Sequence, residues 1–160
     1  MKITPFLRPD FVVLDLKSQT RLDALHELTQ LVKAHPHMKD FAACCRAVHD
    51  RETMGTTKLT GHDIAIPHAR TDQVADILLA VGRSQAGILW DAKEPQPVRL
   101  VFLLGTPKKM VMEYLQLVGA LARLLKAESF RASLLAAQSP EEFLRLFAEH
   151  ENNNSCPSPP

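Results

Sequence analysis

Residues Val98 to Leu104 read VRLVFLL. Apart from Arg99 the run has no polar position, so it lacks the alternation of a strand with one wet face. Such a run reads as a strand buried on both sides, and two buried faces need two covering layers. Ile77 to Val81 is a second buried run of this kind, and Phe11 to Leu16 (FVVLDL) is a shorter one rich in β-branched residues. Gly87-Ile88-Leu89-Trp90 adds another short strand, and Ile64-Ala65-Ile66-Pro67 a fifth. Proline disfavours helix at the residue before it, so Ile66 is extended and His68 stands at the end of that strand.

The covering layers are helical. Ser18 or Thr20 caps a helix reaching about residue 34, with Leu22, Leu25, Leu28, Leu31 and Val32 at helical spacing and Pro36 as its stop. Asp40 caps a second helix through Glu52, with Phe41, Cys44, Cys45 and Val48 facing inward. Val111, Tyr114, Val118, Leu121 and Leu125 form one face of a third, and a fourth follows near residues 130–137. Ser139 at the cap, Pro140 at the first position, then Glu141 and Glu142 near the positive end sign a last helix. The order predicts an α/β (α+β layered) domain: a central sheet of about five strands covered by helices. With no linker or repeat before residue 148, it is one domain over residues 1–150, followed by a disordered tail at 151–160.

Composition removes several classes of function. A formal charge of +1 gives no basic face for nucleic acid and no polybasic membrane anchor. No run approaches the roughly 18 apolar residues that span a bilayer. The N-terminus, interrupted by Pro5 and Pro9, lacks the apolar segment of a secretory signal. Cys44 and Cys45 are adjacent and Cys156 lies in the tail, so no disulfide framework exists and a reduced, cytoplasmic setting is expected. No spacing suggests a metal site, and no cofactor is expected.

One stretch combines parts that suit phosphoryl chemistry. Arg51-Glu52 closes the second helix, the loop TMGTTKLTGHD follows, and His68 comes next. Arginine offers a planar fork of donors matched to phosphate oxygens. Loop glycines let backbone N–H groups approach an anion, and Thr56 and Thr57 add hydroxyls. An imidazole that titrates near neutrality is a nucleophile able to form a covalent intermediate. Each part also has a plainer reading. Arg51 complements the helix dipole, Glu52 pairs with a nearby cation, Thr56 and Thr57 are turn residues, and Cys44 and Cys45 are buried inert thiols. Trp90 is packing or the rim of a partner surface.

The whole string RETMGTTKLTGHDIAIPHAR (residues 51–70) resembles the signature of the fructose/mannitol-type enzyme IIA domains of the bacterial sugar phosphotransferase system. The likeness continues in Val98–Leu104 with Pro107, in the helix from Leu115, and in Ala136-Ala137-Gln138-Ser139-Pro140-Glu141-Glu142-Phe143. As a free-standing domain the chain most resembles the nitrogen-regulatory enzyme IIA. The resemblance implies a mixed sheet of the phosphotransferase/anion-transport-protein type. It implies that His68 is the phosphorylated residue and Arg51 its phosphate-binding partner, with Glu52, Thr56 and Thr57 as further phosphate-contact candidates. It implies a carrier rather than a stand-alone turnover enzyme. The donor would be the histidine phosphocarrier protein, and the next partner a IIB domain or a regulated enzyme or transporter. There is one departure. Where the family carries a second histidine, this chain has Tyr114, whose phenol stays neutral at pH 7. The departure keeps an alternative open: a binding module of the same fold with no phosphoryl transfer.

Overall fold

The computed structural model describes residues 1–155; Cys156 and the rest of residues 156–160 lie outside the described residues. In chain order the elements are β1 (Val12–Val13), α1 (Arg21–Leu31), α2 (Phe41–Thr53), β2 (Ile64–Ala65), β3 (His68–Arg70), β4 (Leu78–Ile88), β5 (Val98–Thr106), α3 (Val111–Leu124), α4 (Glu128–Ala136) and α5 (Pro140–Ser155).

Five strands form one mixed sheet. β4 and β5 pair antiparallel at its centre, β1 pairs parallel with β4, and β2 and β3 both pair parallel with β5. β5 alternates between two cores. Leu100, Phe102 and Leu104 pack with Leu117, Leu121, Phe130, Phe143 and Phe147 of α3, α4 and α5. Val98, Val101 and Leu103 pack with Ala24, Leu25, Leu28, Cys44 and Val48 of α1 and α2. The unbroken apolar run in the sequence is therefore a strand with a helical layer on each face, as the doubly buried pattern requires.

β2 and β3 are two halves of one strand. Ile64 and Ala65 pair with Leu100 and Val101, and His68 pairs with Leu104 at the same offset. Pro67 interrupts the ladder because it has no N–H to donate. Its carbonyl still accepts from Leu104 N at 2.9 Å, so the register carries through the break. His68 is thus the first residue of β3, not the end of the preceding strand as the sequence suggests. Alternation sends Ile64, Ile66 and His68 toward the α3 side, with Ala65 and Ala69 toward α1 and α2.

The caps are those read from sequence. Thr20 accepts from Asp23 N, Asp40 from Ala43 N, and Ser139 from Glu142 N. Three stretches differ. Only Val12–Val13 of the first apolar run is strand, because Pro9 starts a 3-10 turn that takes in Phe11. β4 runs on to Ile88 through polar residues, absorbing the separate strand expected at Gly87. There Gly87 has φ +87°, at a break in register with β5. Arg83 within β4 is buried and donates to the carbonyls of Leu14, Leu134 and Ala137, closing the end of α4. Finally, α5 extends to Ser155, so residues 151–155 are helical where a tail was expected. The buried Glu151 carboxylate accepts from the N–H groups of Ile3 and Thr4 and from the Thr4 hydroxyl, which ties the chain start to this helix.

Cys44 is buried, and burial first, then Cys45 and Asp40, pushes its thiol up to about 11. It is a packed, inert side chain. His35, 4% exposed, is lowered to about 4, first by burial and then by the positive charges of His37 and Arg8. Between this value and 6.5 the unfolded chain binds the proton that the folded one refuses, so stability is lost as pH is lowered through that window. Urea unfolding at pH 7 and pH 4.5 should show His35 contributing a loss on the order of 2–3 kcal/mol. His35→Gln should flatten this part of the profile; an unchanged slope would contradict the assignment.

Candidate functional site

The site is assembled by the last turn of α2, the segment after it, and the break at Pro67. Adjacent residues on a helix point about 100° apart, and Arg51 and Glu52 use this difference. Glu52 turns inward and is 2% exposed. Its carboxylate accepts from Thr57 N at 3.2 Å, from the Thr57 hydroxyl at 2.6 Å and from Trp90 Nε1 at 3.0 Å. Arg21 Nη1 stands 3.9 Å away. Arg51 stays half-buried at the rim, its Nη1 donating to the Gly55 carbonyl at 3.2 Å.

The segment between α2 and β2 is more ordered than its composition suggests. Ile66 N donates to Thr57 O and Leu59 N to Ile64 O, so the segment folds back antiparallel along β2. The reversal is made at Gly61, whose φ of +75° suits a residue without a side chain. The buried Lys58 ammonium reaches Glu94 Oε2 at 3.2 Å and fixes the other flank.

His68 opens β3 at the edge of the sheet and is half-buried. Its Nδ1 lies 2.8 Å from the carbonyl oxygen of Ile66. A carbonyl only accepts, so Nδ1 carries the proton and Nε2 keeps its lone pair. Burial is the largest influence on its pKa and lowers it. The Ile66 hydrogen bond raises it, the Arg51 charge lowers it, and the Glu52 charge raises it. The net direction is below the ordinary 6.5, so the ring is neutral at pH 7. The result is an imidazole with one nitrogen locked and the other available as a nucleophile, within electrostatic reach of a guanidinium.

Tyr114, on the second turn of α3, packs against His68 with ring centroids 5.4 Å apart and also borders the α3–α5 core. Its plainer reading as a core residue and its place beside the histidine both hold. Arg70, two residues along β3 from His68, has its guanidinium 5.8 Å over the Tyr114 ring and donates to the Lys108 carbonyl. Strand alternation in HAR could have found this cation, and the sequence reading missed it. Met54 is 83% exposed just past Arg51, and Met112 and Leu115 flank Tyr114 at 63% and 56% exposure.

The structure thus sets Tyr114 against His68, with Arg51 and Glu52 both close enough for their charges to be felt at the ring. Glu52 and Thr57 face the interior rather than the rim. Expected as phosphate contacts, these two commit their polar atoms to each other and to Trp90 in the interior. Thr56 remains exposed, its hydroxyl accepting from Lys58 N. Trp90 is not rim but core, 3% exposed. Among the described residues no group of three His, Cys, Asp or Glu side chains is placed to hold a metal ion. No helix among them is long and apolar enough to cross a membrane.

Comparison with known proteins points one way. The family model for the phosphoenolpyruvate-dependent sugar phosphotransferase system, EIIA 2, matches residues 5–150. The fructose-specific EIIA component of Haloferax volcanii is 33% identical over 92% of this chain and 93% of that protein. The fructose-specific EIIABC component of Bacillus subtilis is 29% identical over 94% of this chain, which spans only 24% of that longer protein. The crystal structure of the nitrogen regulatory protein IIA-Ntr from Neisseria meningitidis superposes with a TM-score of 0.83 at 28% identity, covering 91% of this chain and 98% of that one.

Removing the Glu52 carboxylate leaves the Thr57 and Trp90 donors buried and unpaired. Glu52→Ala should therefore cost about 3 kcal/mol in urea unfolding. It should also red-shift the emission of the chain's single tryptophan. Wild-type stability and an unshifted spectrum would show that the network does not hold the segment.

Proposed function

Because the chain belongs to the EIIA 2 family of the phosphoenolpyruvate-dependent sugar phosphotransferase system, we propose that residues 1–150 act as a cytoplasmic phosphocarrier domain with His68 as the phosphorylated residue. The observation that carries this reading is the Nδ1 hydrogen bond to Ile66 O, which leaves Nε2 unprotonated on a half-buried ring. The donor is the histidine phosphocarrier protein. The lone pair of Nε2 attacks phosphorus, the donor's P–N bond breaks, and that electron pair stays on the donor imidazole. The proton stays on His68 Nδ1 throughout, held in its hydrogen bond to the Ile66 carbonyl, so the ring needs no external base.

Such transfer depends on positioning and on stabilising charge spread over the equatorial oxygens. Arg51 supplies a guanidinium for those oxygens, and its bond to Gly55 O limits its wandering. Tyr114 can donate its hydroxyl to the phosphoryl group but adds no charge. The exposed Met54, Met112 and Leu115 suit an apolar rim against which a protein donor docks. After loading, the group passes to a IIB domain or its presence regulates a partner. The Haloferax relative's name, a fructose-specific EIIA component, supports a place in sugar phosphotransfer, and the Neisseria relative's name supports a regulatory role.

Incubation with the phosphocarrier protein, its upstream kinase and phosphoenolpyruvate should add the mass of one phosphoryl group to the wild type and none to His68→Ala. Arg51→Ala should slow loading by about 100-fold, and Arg51→Lys by less, since lysine keeps charge without the fork. Equal, negligible effects would remove Arg51 from the phosphate. Failure of folded wild type to take up phosphate would favour a binding module instead.

A further inference from the structure

A second charged feature lies at the far end of β5 from His68. Arg99 is near the start of this strand and Leu104, the partner of His68, near its end. At roughly 3.3 Å per residue they are about 16 Å apart. Between the start of β5 and one face of α4 is a cleft of about 470 Å³, a size that takes small molecules. Its floor is Asp63, 6% exposed, which holds two guanidiniums. Arg99 Nε and Nη2 donate to one carboxylate oxygen at 2.9 and 2.7 Å, and Arg131 Nε donates to the other at 3.1 Å. Arg131 Nη1 is further fixed by the carbonyls of Leu125 and Lys126. Both arginines are therefore held in place before any ligand arrives. Each keeps a terminal nitrogen, Nη1 of Arg99 and Nη2 of Arg131, with no protein partner among the described residues.

Glu128 lines the same cleft. It is three residues before Arg131 on α4, a spacing at which the two would ordinarily pair. Arg131 is turned to Asp63 instead, and Glu128 has no ion pair among the described residues. The cleft is thus lined by guanidinium donors and by a carboxylate with no ion pair among the described residues. Two arginines against Asp63 and Glu128 leave no net charge to favour a simple anion, and Glu128 would repel one. Ala132, Leu135 and Ala136 add apolar surface to the lining, and Gln96 a polar side chain.

We infer that this cleft binds an aliphatic α-amino acid, its carboxylate on Arg99 and Arg131, its ammonium on Glu128 and its side chain on the apolar wall of α4. Asp63 also ends the segment that begins at Arg51 and leads through β2 to His68, so an occupant sits where it can bear on the phosphorylation site without covering it.

The test is a titration of the full-length ¹⁵N-labelled protein followed by backbone amide shifts. The probes are L-leucine, 4-methylpentanoate (the same frame without the ammonium), 3-methylbutylamine (the frame without the carboxylate) and inorganic phosphate. Leucine should give saturable shifts confined to residues 96–100 and 128–136, and each analogue should bind about ten-fold more weakly or worse. Glu128→Gln, an exposed change that leaves the Asp63 pairs intact, should remove the advantage of leucine over 4-methylpentanoate, weakening leucine while that analogue, no longer repelled, binds as well or better. Absence of saturable shifts up to about 50 mM leucine, far below any useful affinity, would overturn the inference. So would equal binding of leucine and 4-methylpentanoate, or tighter binding of phosphate.

Discussion

The hydrogen bond from His68 Nδ1 to the Ile66 carbonyl depends on the strand failing at one position and resuming unchanged. In an uninterrupted ladder the Ile66 carbonyl would lie in the plane of the sheet, engaged with a neighbour. Pro67 removes one rung without shifting the register, because β5 pairs with both halves at the same offset. The imidazole at the resumption then finds the carbonyl two residues behind it. A one-residue slip of register would send the ring to the opposite face, away from Tyr114 and the α3 side.

The two helical layers make that geometry rigid. β5 is buried on both faces, and the edge formed by β2 and β3 is referenced to it. Glu52 performs the equivalent task for the segment after α2. One inward carboxylate satisfies Thr57 twice and Trp90 once, so the chain leaving the helix is drawn against β2. The neighbouring Arg51 is thereby left at the rim. A charge that serves the interior and a charge that serves the surface are adjacent in sequence and separated only by helical rotation.

Much of this was legible from residues alone. The run at Val98 announced a sheet covered on both sides, the caps Thr20, Asp40 and Ser139 are where side-chain chemistry puts them, and the resemblance carried by residues 51–70 agrees with the family match over residues 5–150. What escaped was decided by long-range pairing. Glu52 and Trp90 are 38 positions apart, and neither residue signals the other locally. Arg83 interrupts the apolar pattern of β4, so the strand looked shorter than it is; its burial makes sense only beside the end of α4. The last turns of α5 are polar, and their order comes from Glu151 meeting the chain start. Arg70 was available from strand alternation, but only once His68 was known to begin a strand rather than end one.

These constraints converge on a single electronic state: a neutral ring protonated at Nδ1, with the Nε2 lone pair free and the Arg51 charge felt at the ring. Long-range ¹H–¹⁵N correlation spectroscopy at about pH 7 reads that state directly. His68 should show a protonated, pyrrole-like Nδ1 and an unprotonated, pyridine-like Nε2. A proton found on Nε2, or a doubly protonated ring, would contradict it.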